Sequence, residues 1–167
     1  MGEGAEERGF LRRIGTAIPE ASGYRAPGSR RDTDARLREH LASQIDTLRE
    51  KIAQLMTAAD EEGEEDMRDD LDRIDSRMER TAAALRSADY DGVAFFDSPD
   101  LPEEELERTC AYDAALLDDM DLLVKDVLGM KYETIGNLTL REVEGTLAAI
   151  ELKVANRRDI LDSARRP

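Results

Sequence analysis

The sequence predicts an all-α fold: a four-helix, antiparallel, coiled-coil-like bundle preceded by an irregular N-terminal arm. Three observations carry this. From Leu37 onward, apolar residues recur at spacings of four and three (Leu37, Leu41, Ile45, Leu48, Ile52, Leu55, Ala59), the pattern of a helical seam. Glycine and proline, which punctuate helices, crowd into the first 32 residues and a few short connections. No segment shows the two-residue alternation of a half-buried strand. At 167 residues the chain suits one domain with one core.

Residues 1–32 read as a flexible arm, because Gly2, Gly4, Gly9, Gly15, Gly23, Gly28, Pro19 and Pro27 disfavour a long helix. Within it Phe10, Leu11, Ile14 and Ile18 share one helical face, with Arg12 and Arg13 elsewhere, so about two turns of amphipathic basic helix are expected. Residues 33–167 read as the bundle, with helices over about 33–59, 64–88, 102–128 and 139–164. Asp32 or Thr33 suits the cap of the first helix. Gly63, in an acidic stretch, separates it from an antiparallel second helix whose seam runs Met67, Leu71, Ile74, Met78, Thr81, Leu85. A connection with Gly92 and Pro99 follows and holds Tyr90, Phe95 and Phe96, three of the seven aromatic residues. Pro102 and Glu103, Glu104 and Glu105 suit a third helix start. This helix carries the broadest apolar stripe and should be the most buried. Gly129 ends it, and Thr139 with Glu142 three residues on makes a capping-box start for the fourth.

Composition narrows function by exclusion. With 39 acidic against 24 basic residues, a net charge of −15 and a pI near 4.5, the chain as a whole repels phosphate backbones, so no nucleic-acid partner is expected. Twenty of the basic residues are arginine and four are lysine (Lys51, Lys125, Lys131, Lys153), and an acidic, lysine-poor surface is what hydration in molar salt calls for. A halophilic source is the expectation. Cys110 stands alone, which excludes an intrachain disulfide and a cysteine-based zinc site and suits a reducing compartment. No apolar run reaches membrane-span length and no signal-peptide core is evident, so a cytoplasmic protein is expected.

Motifs for chemistry are sparse. Asp113 falls among the core positions of the third helix and needs a partner; Arg157 or Arg158 of the fourth helix can supply it. It reads either as a proton-handling acid or as a register-fixing ion pair, and bundles commonly use a single polar core residue in the second way. His40 is the only histidine, which excludes two-histidine metal sites and the repeated Glu-x-x-His of di-iron bundles. A His–Cys nucleophile would require His40 beside Cys110. Asp89, Asp91, Asp97 and Asp100 offer oxygen ligands but no EF-hand spacing. The arm's glycines form no phosphate-binding loop. No catalytic residue, cofactor or metal is assigned.

Two surfaces read as contacts. Tyr90, Phe95 and Phe96 either cap the bundle end or dock on a partner. From Arg8 to Arg38 the local net charge is +5, against −20 over the remaining positions, and this basic stretch also carries Phe10, Leu11, Ile14, Ile18 and Tyr24. It fits an anionic membrane surface, an acidic partner, or the chain's own bundle.

Several short motifs resemble those of an uncharacterised family of small prokaryotic all-helical proteins. Gly23-Tyr24, Arg30-Arg31 and Asp34 lead into the first helix; Gly92, Phe95, Phe96 and Asp97 form a G-x-x-F-F-D connection; Tyr112, Asp113, Leu116 and Leu117 lie in the third helix, where AYDAALL departs by lacking a neighbouring Phe. The resemblance implies association with membrane-organising proteins of the stomatin and prohibitin type and no enzymatic role. The resulting expectation is a non-enzymatic interaction or scaffold protein, cytoplasmic or peripheral to the membrane face, whose partner is another protein or a second copy in a homo-oligomer. The alternative is a small-ligand or metal-sensing bundle centred on Asp113.

Overall fold

The computed structural model describes residues 5–163, with side chains from Arg8 onward. The described residues are all-α, with no strand, and form six helices: α1 (Ala5–Ala17), α2 (Arg30–Glu62), α3 (Glu65–Ser87), α4 (Ala94–Asp97), α5 (Glu103–Gly129) and α6 (Asn137–Asp162). Residues 1–4 of the expected arm and residue 164 at the expected end of the last helix lie outside the described residues.

α2, α3, α5 and α6 take up the four periodic stretches. The apolar seam of α2, from Leu37 to Ala59, is fully or almost fully buried. α2 extends about one turn beyond the expected range at each end, beginning at Arg30. It ends in a Schellman turn: Gly63 adopts φ +75°, its N–H reaches the Asp60 carbonyl at 3.2 Å, and the Glu64 N–H reaches the Ala59 carbonyl at 2.9 Å. α3 therefore turns back along α2, and α2 also meets α5, which meets α6, which meets α3, so each long helix touches two others.

Two expected caps are absent. Thr33 lies inside α2 and its hydroxyl donates to the Gly23 carbonyl at 3.0 Å, while Asp32 accepts from Arg36 at 2.7 Å. α6 opens at Asn137 behind an extended Gly136, so Thr139 sits inside the first turn and caps nothing. In both cases the chain enters the helix earlier than the polar residue that reads as its cap.

The arm is the main correction. From Ala5 to Ala17 it is a helix of 13 residues rather than two turns in a flexible segment, and it packs on α5. Phe10 and Ile14 are fully buried and Ile18 nearly so. Spaced by four, these residues form a stripe that the broad apolar face of α5 accommodates, and that burial outweighs the poor helix propensity of Gly9 and Gly15. The chain then reverses at Gly23, where φ is +82° and an added Cβ would stand 2.3 Å from Leu11 Cδ2. The left-handed φ favours glycine there, and any side chain would also have to displace the end of Leu11.

Arginine ties the helix seams together on the surface. Arg49 grips Asp75 with two nitrogens (2.9 and 3.1 Å) across α2–α3, and Arg77 grips Glu151 likewise (3.0 and 2.8 Å) across α3–α6. Lys153 meets Asp119 at 2.6 Å across α5–α6, and Arg13 meets Asp121 at 2.7 Å across α1–α5. No described helix is long and apolar enough to cross a membrane.

Candidate functional site: a buried ion network under a groove

Asp113 on α5 is fully buried, and Arg157 on α6 is 2% exposed. Arg157 spans the carboxylate with both ends of its guanidinium: Nε donates to Oδ1 and Nη2 to Oδ2, each at 2.8 Å. Its Nη1 donates to Asp34 of α2 and to the Tyr90 hydroxyl at 3.3 Å. The Tyr24 hydroxyl donates to Asp113 Oδ2 at 2.7 Å and lies 3.1 Å from Arg157 Nη2, from which it accepts. Asp34 in turn accepts from Arg38 Nε at 2.9 Å, and Arg38 Nη1 donates to the Leu85 carbonyl at 2.8 Å. Two guanidinium and two carboxylate groups thus meet, and their charges cancel.

Burial and the neighbouring charges shift two members of the network, Arg157 and Tyr24. It disfavours the charged form of Arg157, but the Asp113 and Asp34 carboxylates outweigh it and hold the guanidinium well above its ordinary range. Burial, reinforced by Asp113, raises the Tyr24 phenol well above its ordinary value, so it remains a donor. Every donor of Arg157 that points into the network has an acceptor, which is the condition under which a buried charge is tolerated.

The aromatic residues wrap this centre. Phe10 stacks on Tyr24 (5.2 Å between centroids), Tyr24 meets Phe95 edge-on (5.3 Å), Phe95 meets Phe96 edge-on (5.3 Å), and Phe96 stacks on Tyr90 (5.7 Å). Arginines lie over three of these rings: Arg30 over Phe95 (5.7 Å), Arg31 over Phe96 (5.1 Å), and both Arg38 and Arg157 over Tyr90 (5.5 Å each). Arg30, 1% exposed, donates to the carbonyls of Tyr24 (2.8 Å), Phe95 (3.1 Å) and Ser98 (2.6 Å), and burial lowers its pKa from the ordinary value. α4 and its flanking connections are thereby fastened over one end of the bundle.

This placement corrects the expected contact surfaces. Phe10, Ile14, Ile18, Tyr24, Phe95, Phe96 and Tyr90 are all 9% exposed or less, and Leu11 is half-buried against Gly23, so the apolar side chains of the arm and of the aromatic connection form this chain's own core. Arg13 is engaged by Asp118 and Asp121; Arg12 is exposed. Among the described side chains of α1, Phe10 and Ile14 are buried where the helix packs on α5. Arg158, the other arginine considered for Asp113, is exposed and donates instead to the Asp89 carbonyl at 2.6 Å.

The remaining chemical candidates do not converge. His40 lines a groove of about 530 Å³ between α1, α2 and α5, where burial lowers its pKa against the opposing pull of Asp121. Cys110 is buried. Asp97 is taken by Arg31 at 2.6 Å and Asp89 accepts the Asp91 N–H at 2.9 Å; among the described residues no group of three or more His, Cys, Asp or Glu is placed to hold a metal.

What sequence reasoning missed is the surface directly over the network. A groove of about 380 Å³ runs between α3 and α6 and reaches α2, with Tyr90 and Arg157 at its base. Ala84, Leu85, Ala88, Val154 and Ala155 supply its apolar wall, and Arg38, Arg77 and Arg80 its polar edge. Arginines on acidic helices read as solvated charge, and only the packing of α3 against α6 shows that Arg38, Arg77 and Arg80 share a hollow. No family model matches the chain, and neither a curated protein nor a solved structure shows a significant match to it.

Proposed function

We propose that this chain is a non-enzymatic binding protein that takes a small ligand in the groove between α3 and α6. The observation that carries the reading is the groove itself: about 380 Å³, apolar-walled, with a few fixed polar groups at its base, the dimensions and lining of small-molecule sites generally. The buried network supports it as a base, since both Arg38 and Arg157 lie against the Tyr90 ring. Binding is favoured over catalysis because Arg157, Asp113, Asp34 and Tyr24 satisfy one another, and Glu151, the carboxylate that lines the groove, is held by Arg77. On this reading the four long helices act as an antiparallel four-helix, coiled-coil-like frame, α1 as a clamp on α5, and the protein works in a salt-rich cytoplasm.

The test is a nitrogen-15 NMR titration of the full chain with a fragment set of anionic, cationic and neutral compounds. Shifts centred on the amides of Ala84, Ala88, Val154 and Ala155 are expected, and Ala155→Trp, at an exposed wall position, should abolish them. Compounds that bind the Trp variant equally well, or the absence of any binder, would sink the proposal.

A second reading keeps the scaffold role, with the stomatin- and prohibitin-like association as its proposed setting. It moves the contact away from the arm and onto Leu138 and Leu152 of α6, which are 72% and 62% exposed. If Leu138→Glu with Leu152→Glu leaves the sedimentation behaviour of the chain unchanged, this contact plays no part in self-association.

A further inference from the structure

Resting on the groove reading above, we infer that the ligand is a compact amphipathic organic monoanion: one carboxylate-type head on a short apolar body. The geometry separates the two ends. At one edge Arg80 is exposed and, among the described residues, makes no hydrogen bond or ion pair. Beside it Arg38 uses Nε on Asp34 and Nη1 on the Leu85 carbonyl, which leaves Nη2 as a donor, and the Tyr90 ring fixes the plane of the guanidinium. Away from that edge, Ala84, Leu85, Ala88, Val154 and Ala155 make an aliphatic wall.

Charge counting sets the valence. The groove is lined by Arg38, Arg77, Arg80 and Arg157 and by one carboxylate, Glu151, which Arg77 holds with two nitrogens. Behind the base, Asp34 and Asp113 neutralise Arg38 and Arg157. A single positive charge is left over, and Arg80 carries it. On a chain of net charge −15, one local excess suits one negative charge; a polyphosphate or nucleic acid would meet long-range repulsion with nothing to offset the rest of its charge. A bare inorganic anion would leave the aliphatic wall wet and would be weakened most by salt. A guanidinium that meets a carboxylate by charge-assisted hydrogen bonds beside an apolar wall binds both parts at once.

The experiment uses octanoate, octan-1-ol and acetate as probes, titrated calorimetrically into the full chain at low salt, with Arg80→Gln, Arg80→Lys and Ala155→Trp as variants. Octanoate should bind at least about tenfold more tightly than octan-1-ol, the factor that a single charge-assisted hydrogen bond supplies. Acetate should bind at least about tenfold more weakly than octanoate, for want of apolar burial. Arg80→Gln, exposed and unpaired in the fold, should bring octanoate down to the affinity of octan-1-ol, Arg80→Lys should restore most of the difference, and Ala155→Trp should remove binding of both. Equal affinity for octanoate and octan-1-ol overturns the anion assignment, and a preference undiminished by Arg80→Gln overturns the placing of the head at Arg80, while the groove reading stands in both cases. Failure of both long probes together with the fragment set above overturns both.

Discussion

Arg157 is the residue on which the interior turns, because it joins α6 to α5 through Asp113 and to α2 through Asp34. Removing one member of such a pair strands the others without water, whereas replacing the group with apolar side chains removes the desolvation penalty along with the attraction. Urea unfolding should therefore show Arg157→Met and Asp113→Leu each destabilised by about 3–5 kcal/mol, with the triple variant Tyr24→Phe, Asp113→Leu, Arg157→Met less destabilised than either. A triple variant that falls below both singles would mean the network is a net source of stability. Tyr24 adds a pH signature. Its folded pKa is raised, so the unfolded chain releases the phenol proton near pH 10 while the folded chain retains it, and stability must fall as pH rises above about 10. Tyr24→Phe should flatten that decline in a series of alkaline melts; an unchanged slope would show that the phenol ionises in the fold. Asp113 with an arginine of the last helix was readable, because a carboxylate among heptad core positions demands a cation. The links of Tyr24, Tyr90 and Asp34 to Asp113 and Arg157 were not, because they span 67 to 133 residues and nothing in local spacing records them.

At the scale of elements, the long helices were legible because each has its own repeating apolar stripe, and the misreadings fell where tertiary contact overrides local signals. α1 contains two glycines and reads as marginal by itself; it forms because Phe10 and Ile14 find the face of α5. Its closure depends on the turn at Gly23. Gly63 offers a control, since both glycines have positive φ but an added Cβ meets nothing at Gly63 and meets Leu11 at 2.3 Å at Gly23. Gly63→Ala should cost about 1–2 kcal/mol, the strain of the left-handed conformation alone. Gly23→Ala should cost more and should speed tryptic cleavage after Arg12 and Arg13, because Leu11 must move and α1 with it. Equal losses at the two sites, with no change in cleavage, would show that α1 does not depend on this turn. The groove over Arg157 was illegible for a related reason: part of its wall comes from outward positions, Ala84 of α3 and Ala155 of α6, whose small side chains carry no signal until the two helices are set side by side.

Across the whole molecule, two electrostatic effects oppose each other and differ in range. The net charge of −15 repels over distances comparable to the molecule at about 10 mM salt, where screening extends to about 30 Å. The interhelical clamps, Arg49 on Asp75 and Arg77 on Glu151, act at 2.8–3.1 Å through paired hydrogen bonds. At about 1 M salt, with screening near 3 Å, the repulsion is lost and the paired contacts largely persist. This difference gives the arginine-over-lysine composition a physical use, since an ammonium makes a point contact and a guanidinium a bidentate one. The melting temperature should therefore rise as potassium chloride increases from about 10 mM to about 1 M, by at least about 4 °C, which for a chain of this size corresponds to somewhat more than about 1 kcal/mol. Arg49→Lys with Arg77→Lys should lower the plateau reached at high salt while leaving the initial rise intact, because the repulsion is unchanged and only the short-range clamps are weakened. A melting temperature that falls with salt would mean that surface ion pairs dominate the electrostatics of folding, and would remove the physical basis for reading the acidic surface as an adaptation to brine.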